Sequence, residues 1–148
     1  MLRASDDEDN QQRLIRQYGL EDLVFLEPPI PYIEAPAEML RADGLLLFQG
    51  SLTNTQIPAK LYEYFRARRP ILAVVDPAGE TAALLRSVGI GTICPCQDKE
   101  SMARGVQEFL TQVRLQTIPT AEMSQIARFS RQSGTGDFAR VLDEVSSV

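Results

Sequence analysis

The sequence predicts an α/β fold built on a mostly parallel sheet, and three observations carry that prediction. Short apolar runs alternate with longer amphipathic stretches along most of the chain. The clearest runs, Leu45-Leu46-Leu47-Phe48 and Ile71-Leu72-Ala73-Val74-Val75, have no polar face, as is usual for strands covered on both sides. Glycine and proline fall at most of the junctions. Together these predict a Rossmann-like parallel sheet of about four strands flanked by helices, with right-handed crossovers.

Each element follows from local chemistry. Residues 7–18 suit a helix, opened by the acids Asp6-Asp7-Glu8-Asp9 and closed by Gly19. Leu23-Val24-Phe25-Leu26 suits a short buried strand, ended by Pro28, Pro29 and Pro31. Residues 32–41 suit a helix interrupted by Pro36 near its start. A strand at 45–48, a helix at 58–68 opened by Pro58, and a strand at 70–75 follow. Residues 79–88 form a helix closed by Gly89, Thr92-Ile93-Cys94 a fourth strand, and residues 98–115 a long helix. Beyond Pro119 the pattern changes to two helices, 120–130 and 135–146, joined by Ser133-Gly134-Thr135-Gly136. The expected division is a Rossmann-like domain at 1–118 and a helical tail at 119–148.

Composition narrows the function. The net charge of −5 and the lack of a basic stripe argue against nucleic acid as a partner. With 0 histidines, no histidine general base or Ser-His-Asp triad is possible, and Cys94 and Cys96 cannot complete an ordinary zinc site. The two cysteines are expected to be free thiols in a reducing cytosol. No apolar run is long enough for a transmembrane helix, and the start lacks the apolar core of a signal peptide. Gly89-Ile90-Gly91 falls short of a dinucleotide fingerprint and is read as a turn.

Open parallel sheets bind ligands beyond the C-terminal ends of their strands. The loop 49–57 lies there and is dense in amides and hydroxyls, including Thr53, Asn54, Thr55 and Gln56. Those groups suit hydrogen bonds to sugar and phosphate oxygens, or equally a polar surface loop. The helix that follows, Pro58-Ala59-Lys60-Leu61-Tyr62-Glu63, places Lys60 and Glu63 three residues apart on one face. Glu63 could accept hydrogen bonds from vicinal hydroxyls, and Lys60 could meet a diphosphate as a point charge; both could also be solvated helix charges. Asp76 and Glu80, around the next helix start, would repel a phosphate and fit capping better.

The segment IPAKLYEYFRARRPILAVVD resembles the donor-site helix and following strand of the family 4 glycosyltransferases, which have the GT-B fold. The resemblance extends through Ala42-Asp43-Gly44-Leu45-Leu46-Leu47 and Gly89-Ile90-Gly91-Thr92-Ile93, and it covers only the C-terminal part of such an enzyme. Glu63 matches the second glutamate of the family's paired-glutamate motif, whereas Thr55 stands where the first would be. A threonine hydroxyl cannot supply that carboxylate's charge, which puts the sugar contact there in doubt.

The resemblance implies binding of a nucleoside-diphosphate sugar for transfer to an unknown acceptor. Glu63 would sit on the ribose, with Lys60, Thr55, Asn54, Thr53 and Gln56 around the donor. It implies no metal and no further cofactor. The acceptor would be met through an N-terminal domain that this chain lacks. The expected location is cytoplasmic, with any peripheral membrane contact made through that domain. The rival is a noncatalytic nucleotide-sugar-binding or interaction module, a gene fragment or one subunit of a split enzyme. In the family's strand order, 3-2-1-4-5-6, the run 23–26 would be third. With the first two strands absent, it is expected to pair directly with 45–48 in a four-stranded sheet. The tail is expected to be poorly anchored.

Overall fold

A computed structural model describes residues 4–90 and 92–146, with side chains from residue 8 onward. Gly91 and the side chains of Asp6 and Asp7 lie outside the described residues. The chain divides into two compact units, Met1–Ile33 and Glu34–Val148.

In the first unit, α1 (Ala4–Gln17) ends where the sequence puts its stop. The Leu20 N–H donates to the Ile15 carbonyl at 2.9 Å and the Gly19 N–H to the Arg16 carbonyl at 3.2 Å, with Gly19 at φ +62°. This is the left-handed helix terminus that glycine adopts without steric cost. The run 23–26 is not a strand, which corrects the expectation. The Leu23 and Val24 N–H groups both fold back onto the Leu20 carbonyl, so the segment continues the turn. Leu23 and Phe25 are 76% and 70% exposed.

The second unit holds a three-stranded sheet, one strand fewer than expected. β1 (Leu45–Phe48), β2 (Ile71–Val75) and β3 (Ile93–Pro95) lie in sequence order and are all parallel. Leu45 stands opposite Ile71, and Ala73 opposite Ile93. The helix α2 (Ala35–Arg41) precedes β1 and carries Pro36 in its first turn. α3 (Ala59–Ala67) joins β1 to β2, α4 (Glu80–Ser87) joins β2 to β3, and α5 (Lys99–Leu115) follows β3.

The parallel connections bury both faces of β2. On one face, Leu45, Leu47, Ile71, Ala73 and Val75 pack with Leu61 and Phe65 of α3 and Ala82 and Leu85 of α4. Leu61 and Phe65 lie one helical turn apart and are fully buried, each contributing about 1.5–3 kcal/mol of transfer free energy. On the other face, Leu72, Val74 and Cys94 pack with Phe109 of α5. α5 packs mainly on β3 and β2 and leaves part of this face of β1 uncovered. Leu46 and Phe48 are therefore 46% and 66% exposed, and β1 is buried on one face rather than both.

The tail behaves in two ways. Ala121 and Ile126 join the main core, the latter from α6 (Met123–Ala127). Phe129 packs on Tyr62 and Phe65, with ring centroids 5.6 and 6.0 Å away. α7 (Arg131–Ser146) has no buried residue, and Phe138, Val141, Leu142 and Val145 are exposed along one stripe. Only this last helix is weakly anchored. It runs through Ser133, Gly134, Thr135 and Gly136, which the sequence reading made a connection. The Thr135 hydroxyl bonds back to the Arg131 carbonyl at 2.8 Å there.

Gly105 lets α5 approach β3: a Cβ at this position would overlap Cys94 Sγ. The same burial, aided by Glu108, pushes the Cys94 thiol pKa up. Gly105→Ala should therefore destabilise the chain by about 1–3 kcal/mol through overpacking, although alanine alone favours a helix interior. Urea unfolding midpoints check this. An unchanged or higher midpoint would show that the α5–β3 packing is looser than described.

Candidate functional site at the C-terminal end of the sheet

The strands deliver two loops to one end of the sheet, and side chains stitch those loops together. After β1, Gln49 bonds in three directions. Its N–H donates to the Val74 carbonyl at 3.1 Å, and its Nε2 donates to the Thr53 and Gln56 carbonyls at 2.7 Å each. Gly50 opens a single 3₁₀ turn over Ser51–Thr53, and the Thr53 hydroxyl donates to the Gly50 carbonyl at 3.1 Å. The loop is thus folded on itself by its own amide and hydroxyl groups.

Asn54 ties this loop to the one after β2. Its Nδ2 donates to Asp76 Oδ2 at 2.5 Å, and its carbonyl accepts the Glu80 N–H at 2.9 Å. The other Asp76 oxygen accepts the Ala78 N–H at 2.9 Å, the turn-capping role that its position at a strand end suggests. Gly79 lies close against Asn54, where a Cβ would come within 3.4 Å of the Asn54 carbonyl oxygen. Thr81 is 1% exposed and donates its hydroxyl to the Gln56 carbonyl at 3.3 Å. Sequence reading missed Thr81. The available signal is its place one turn before the buried Leu85, where a polar residue on an apolar face needs a partner.

The sequence-predicted residues divide accordingly. Thr53 and Asn54 hold the loop and its neighbour in place, and Gln56 does so through its carbonyl. Thr55 is exposed. Lys60 is exposed in the first turn of α3, and Glu63 is half-buried one turn further on. No side chain caps α3, whose N-cap is Pro58, so its first-turn N–H groups are not consumed by one. α5 differs: Asp98 accepts the Glu100 and Ser101 N–H groups at 3.0 and 3.2 Å. Those bonds, with the Ser101 hydroxyl foremost, hold its carboxyl below the usual range. Among the described residues no acid, cysteine or histidine cluster could hold a metal ion.

Beside Glu63, Tyr64 closes the outer edge of β1. The Leu45 and Gln49 N–H groups point to β2, so alternation turns the peptide groups of Leu46 and Phe48 outward. The Tyr64 hydroxyl donates to the Leu46 carbonyl at 3.2 Å. Burial, and then the Glu63 carboxylate, raise the Tyr64 pKa above 10.0.

Comparison with known proteins gives one similarity. Over 65 residues, 44% of this chain, the sequence is 31% identical to a protein of Pseudomonas aeruginosa described as "Probable glycosyltransferase WbjE". The matched stretch is 16% of that relative's length, so the chain corresponds to a small part of it. No family model matches the chain, and no solved structure does. No helix among the described residues is long and apolar enough to cross a membrane.

Because the folded chain holds Tyr64 protonated beyond 10.0, its contribution to stability is fully present below that pH. It is lost as pH rises through the raised value. Tyr64→Phe should be less stable than the parent near neutrality, by about 0.5–1.5 kcal/mol for the lost hydrogen bond. The gap should narrow in alkali. Denaturant melts of both proteins across that range check this. A gap independent of pH would mean that Glu63 and burial do not act on Tyr64.

Proposed function

We propose that this chain is the nucleotide-sugar-binding part of a glycosyltransferase. It would hold a nucleoside-diphosphate sugar at the C-terminal end of its sheet for transfer to an acceptor. The observation that carries the reading is the placement of α3. The helix starts directly beyond β1's loop, has no side-chain cap, and carries Lys60 in its first turn with Glu63 on the same face. The 31% identity to a probable glycosyltransferase supports the same class. The resemblance of residues 57–76 to family 4 enzymes of the GT-B fold supplies the finer assignment.

In this reading the α3 N–H groups and the Lys60 ammonium meet the diphosphate and stabilise the charge that builds on it as the sugar leaves. Glu63 accepts hydrogen bonds from the two ribose hydroxyls, for which a carboxylate has the lone pairs. Thr55 offers its hydroxyl to a donor oxygen. Thr53, Asn54 and Gln56 act by fixing the loop that carries Thr55. The acceptor and the catalytic base would come from another part of the protein or from a partner. A second reading, a noncatalytic interaction module, draws on the exposed Leu46 and Phe48 beside an unpaired strand edge.

Glu63→Ala should weaken binding of a nucleoside-diphosphate sugar by about 1.5–3 kcal/mol, the range for hydrogen bonds to a charged group. The unfolding midpoint should change little. Isothermal titration calorimetry of both proteins with a panel of nucleoside-diphosphate sugars measures it. Donor affinity unchanged in the variant would remove Glu63 from the ribose; no binding by the parent would favour the interaction module.

A further inference from the structure

A cleft lies at the opposite, N-terminal end of the sheet. It encloses about 260 Å3 and is lined by Arg68 and Arg69 between α3 and β2, Asp43 before β1, and Gln112, Gln116 and Thr120 at and beyond the end of α5. Val113, Pro70 and Ile118 form its apolar wall. We propose that this cleft binds the phosphate monoester of a small hydroxylated molecule, at a site separate from the donor end.

Three observations meet there. Arg68 and Gln116 are the non-glycine residues with positive φ among the described residues, at +51° and +55°, and both line this cleft. Each is the cap residue at the end of a helix, a place where glycine adopts the left-handed conformation without the steric cost an arginine or glutamine bears. The exposed Arg68 guanidinium has no hydrogen-bond or ion-pair partner among the described residues, so its side chain adds nothing to the single backbone cap bond that holds this conformation. Arg69 donates from one terminal nitrogen to the Leu40 carbonyl, while its Nε is buried with no acceptor. A buried donor left unpaired is destabilising, and the side chain that carries it lines the cleft.

Helix polarity sharpens the argument. α3 and α5 both end at the cleft, and helix C-termini favour cations. That accounts for positive charge here, and Arg69, bonded to the Leu40 carbonyl, already supplies it. It does not account for a strained, unpartnered Arg68. The cap bonds from Arg68 N to the Phe65 carbonyl and from Gln116 N to the Gln112 and Val113 carbonyls occupy some of the carbonyl groups at these two helix ends. Arg68 and Arg69 both line the cleft, and guanidinium groups suit a phosphate dianion, which each can grip through paired N–H groups. Gln116, Thr120 and the exposed Asp43 carboxylate suit hydroxyl groups on the remainder of the ligand. Asp43 sets one negative charge against the two arginines of the cleft, which favours a monoester over the more highly charged diphosphate.

The test is calorimetric titration of the 148-residue chain with inorganic phosphate, glycerol phosphate and glycerol. Binding is expected for both phosphates and not for glycerol, with glycerol phosphate the tighter. Arg68→Gly relieves the backbone strain, so its melting temperature should rise. Its phosphate affinity should nonetheless fall roughly tenfold or more, as for the loss of a charge-assisted bond. Glu63→Ala, at the other end of the sheet, should bind glycerol phosphate like the parent, which separates this site from the donor reading. The proposal is overturned if the parent binds neither phosphate at millimolar concentration. It is also overturned if Arg68→Gly binds them as well as the parent, or if Glu63→Ala abolishes binding.

Discussion

The five residues of β2, Ile71 to Val75, are buried on both faces of the sheet, and the other elements take their positions from that burial. A strand with no polar face needs cover on both sides, and parallel neighbours need crossover helices to provide it. α3 and α4 supply one cover through Leu61, Phe65, Ala82 and Leu85, and α5 supplies the other through Phe109. Because every strand runs the same way, the loops after β1 and β2 emerge together at one end. Those after α3 and α5 emerge together at the other. The two ends then carry different chemistry. One presents an uncapped helix start and a glutamate; the other presents two helix ends and a pair of arginines.

The C-terminal end is held by polar bonds rather than by packing. Asn54 and Asp76 are 22 residues apart in sequence and joined at 2.5 Å, and Asn54 also receives the first N–H of α4. Gln49 and Thr81 converge on the Gln56 carbonyl from the loop and from α4. Satisfied networks of this kind fix a loop in one conformation, which lowers the ordering a ligand must bring about when it binds. The polar groups of loop 49–57 thus have a structural use. What they leave for a ligand is the exposed Thr55 and the start of α3.

Much of the fold was legible because its signals are local. Apolar runs marked β1, β2 and β3, and Gly19 and Gly89 marked helix ends. The run 23–26 carried the same apolar signal, yet a strand exists only with a partner edge, and the turn from Leu20 captures its first N–H groups. The even apolarity of β1 suggested two covered faces. How far α5 extends across the sheet is a tertiary fact that three leucines and a phenylalanine cannot report. In α7, Gly134 and Gly136 looked like a linker, but two glycines weaken a helix by only about 1 kcal/mol each, and the flanking turns hold it. For the candidate site, the shared helix face of Lys60 and Glu63 was readable from their spacing. The Asn54–Asp76 bond, the buried Thr81 and the orphaned Arg69 Nε depend on contacts between distant segments and had no local mark.

The central claim is that the loop after β1 and the start of α3 form one preorganised surface for a nucleoside-diphosphate sugar. The most direct test is to follow backbone amide chemical shifts of the chain during titration with such a donor. The account predicts the largest shifts at Thr55 and across Ala59 to Glu63. Smaller shifts should appear at Asn54 and Ala78, and none in the cleft around Arg68 and Gln116. Shifts centred on β1's exposed Leu46 and Phe48, on α7, or on the arginine cleft, with α3 unmoved, would contradict it.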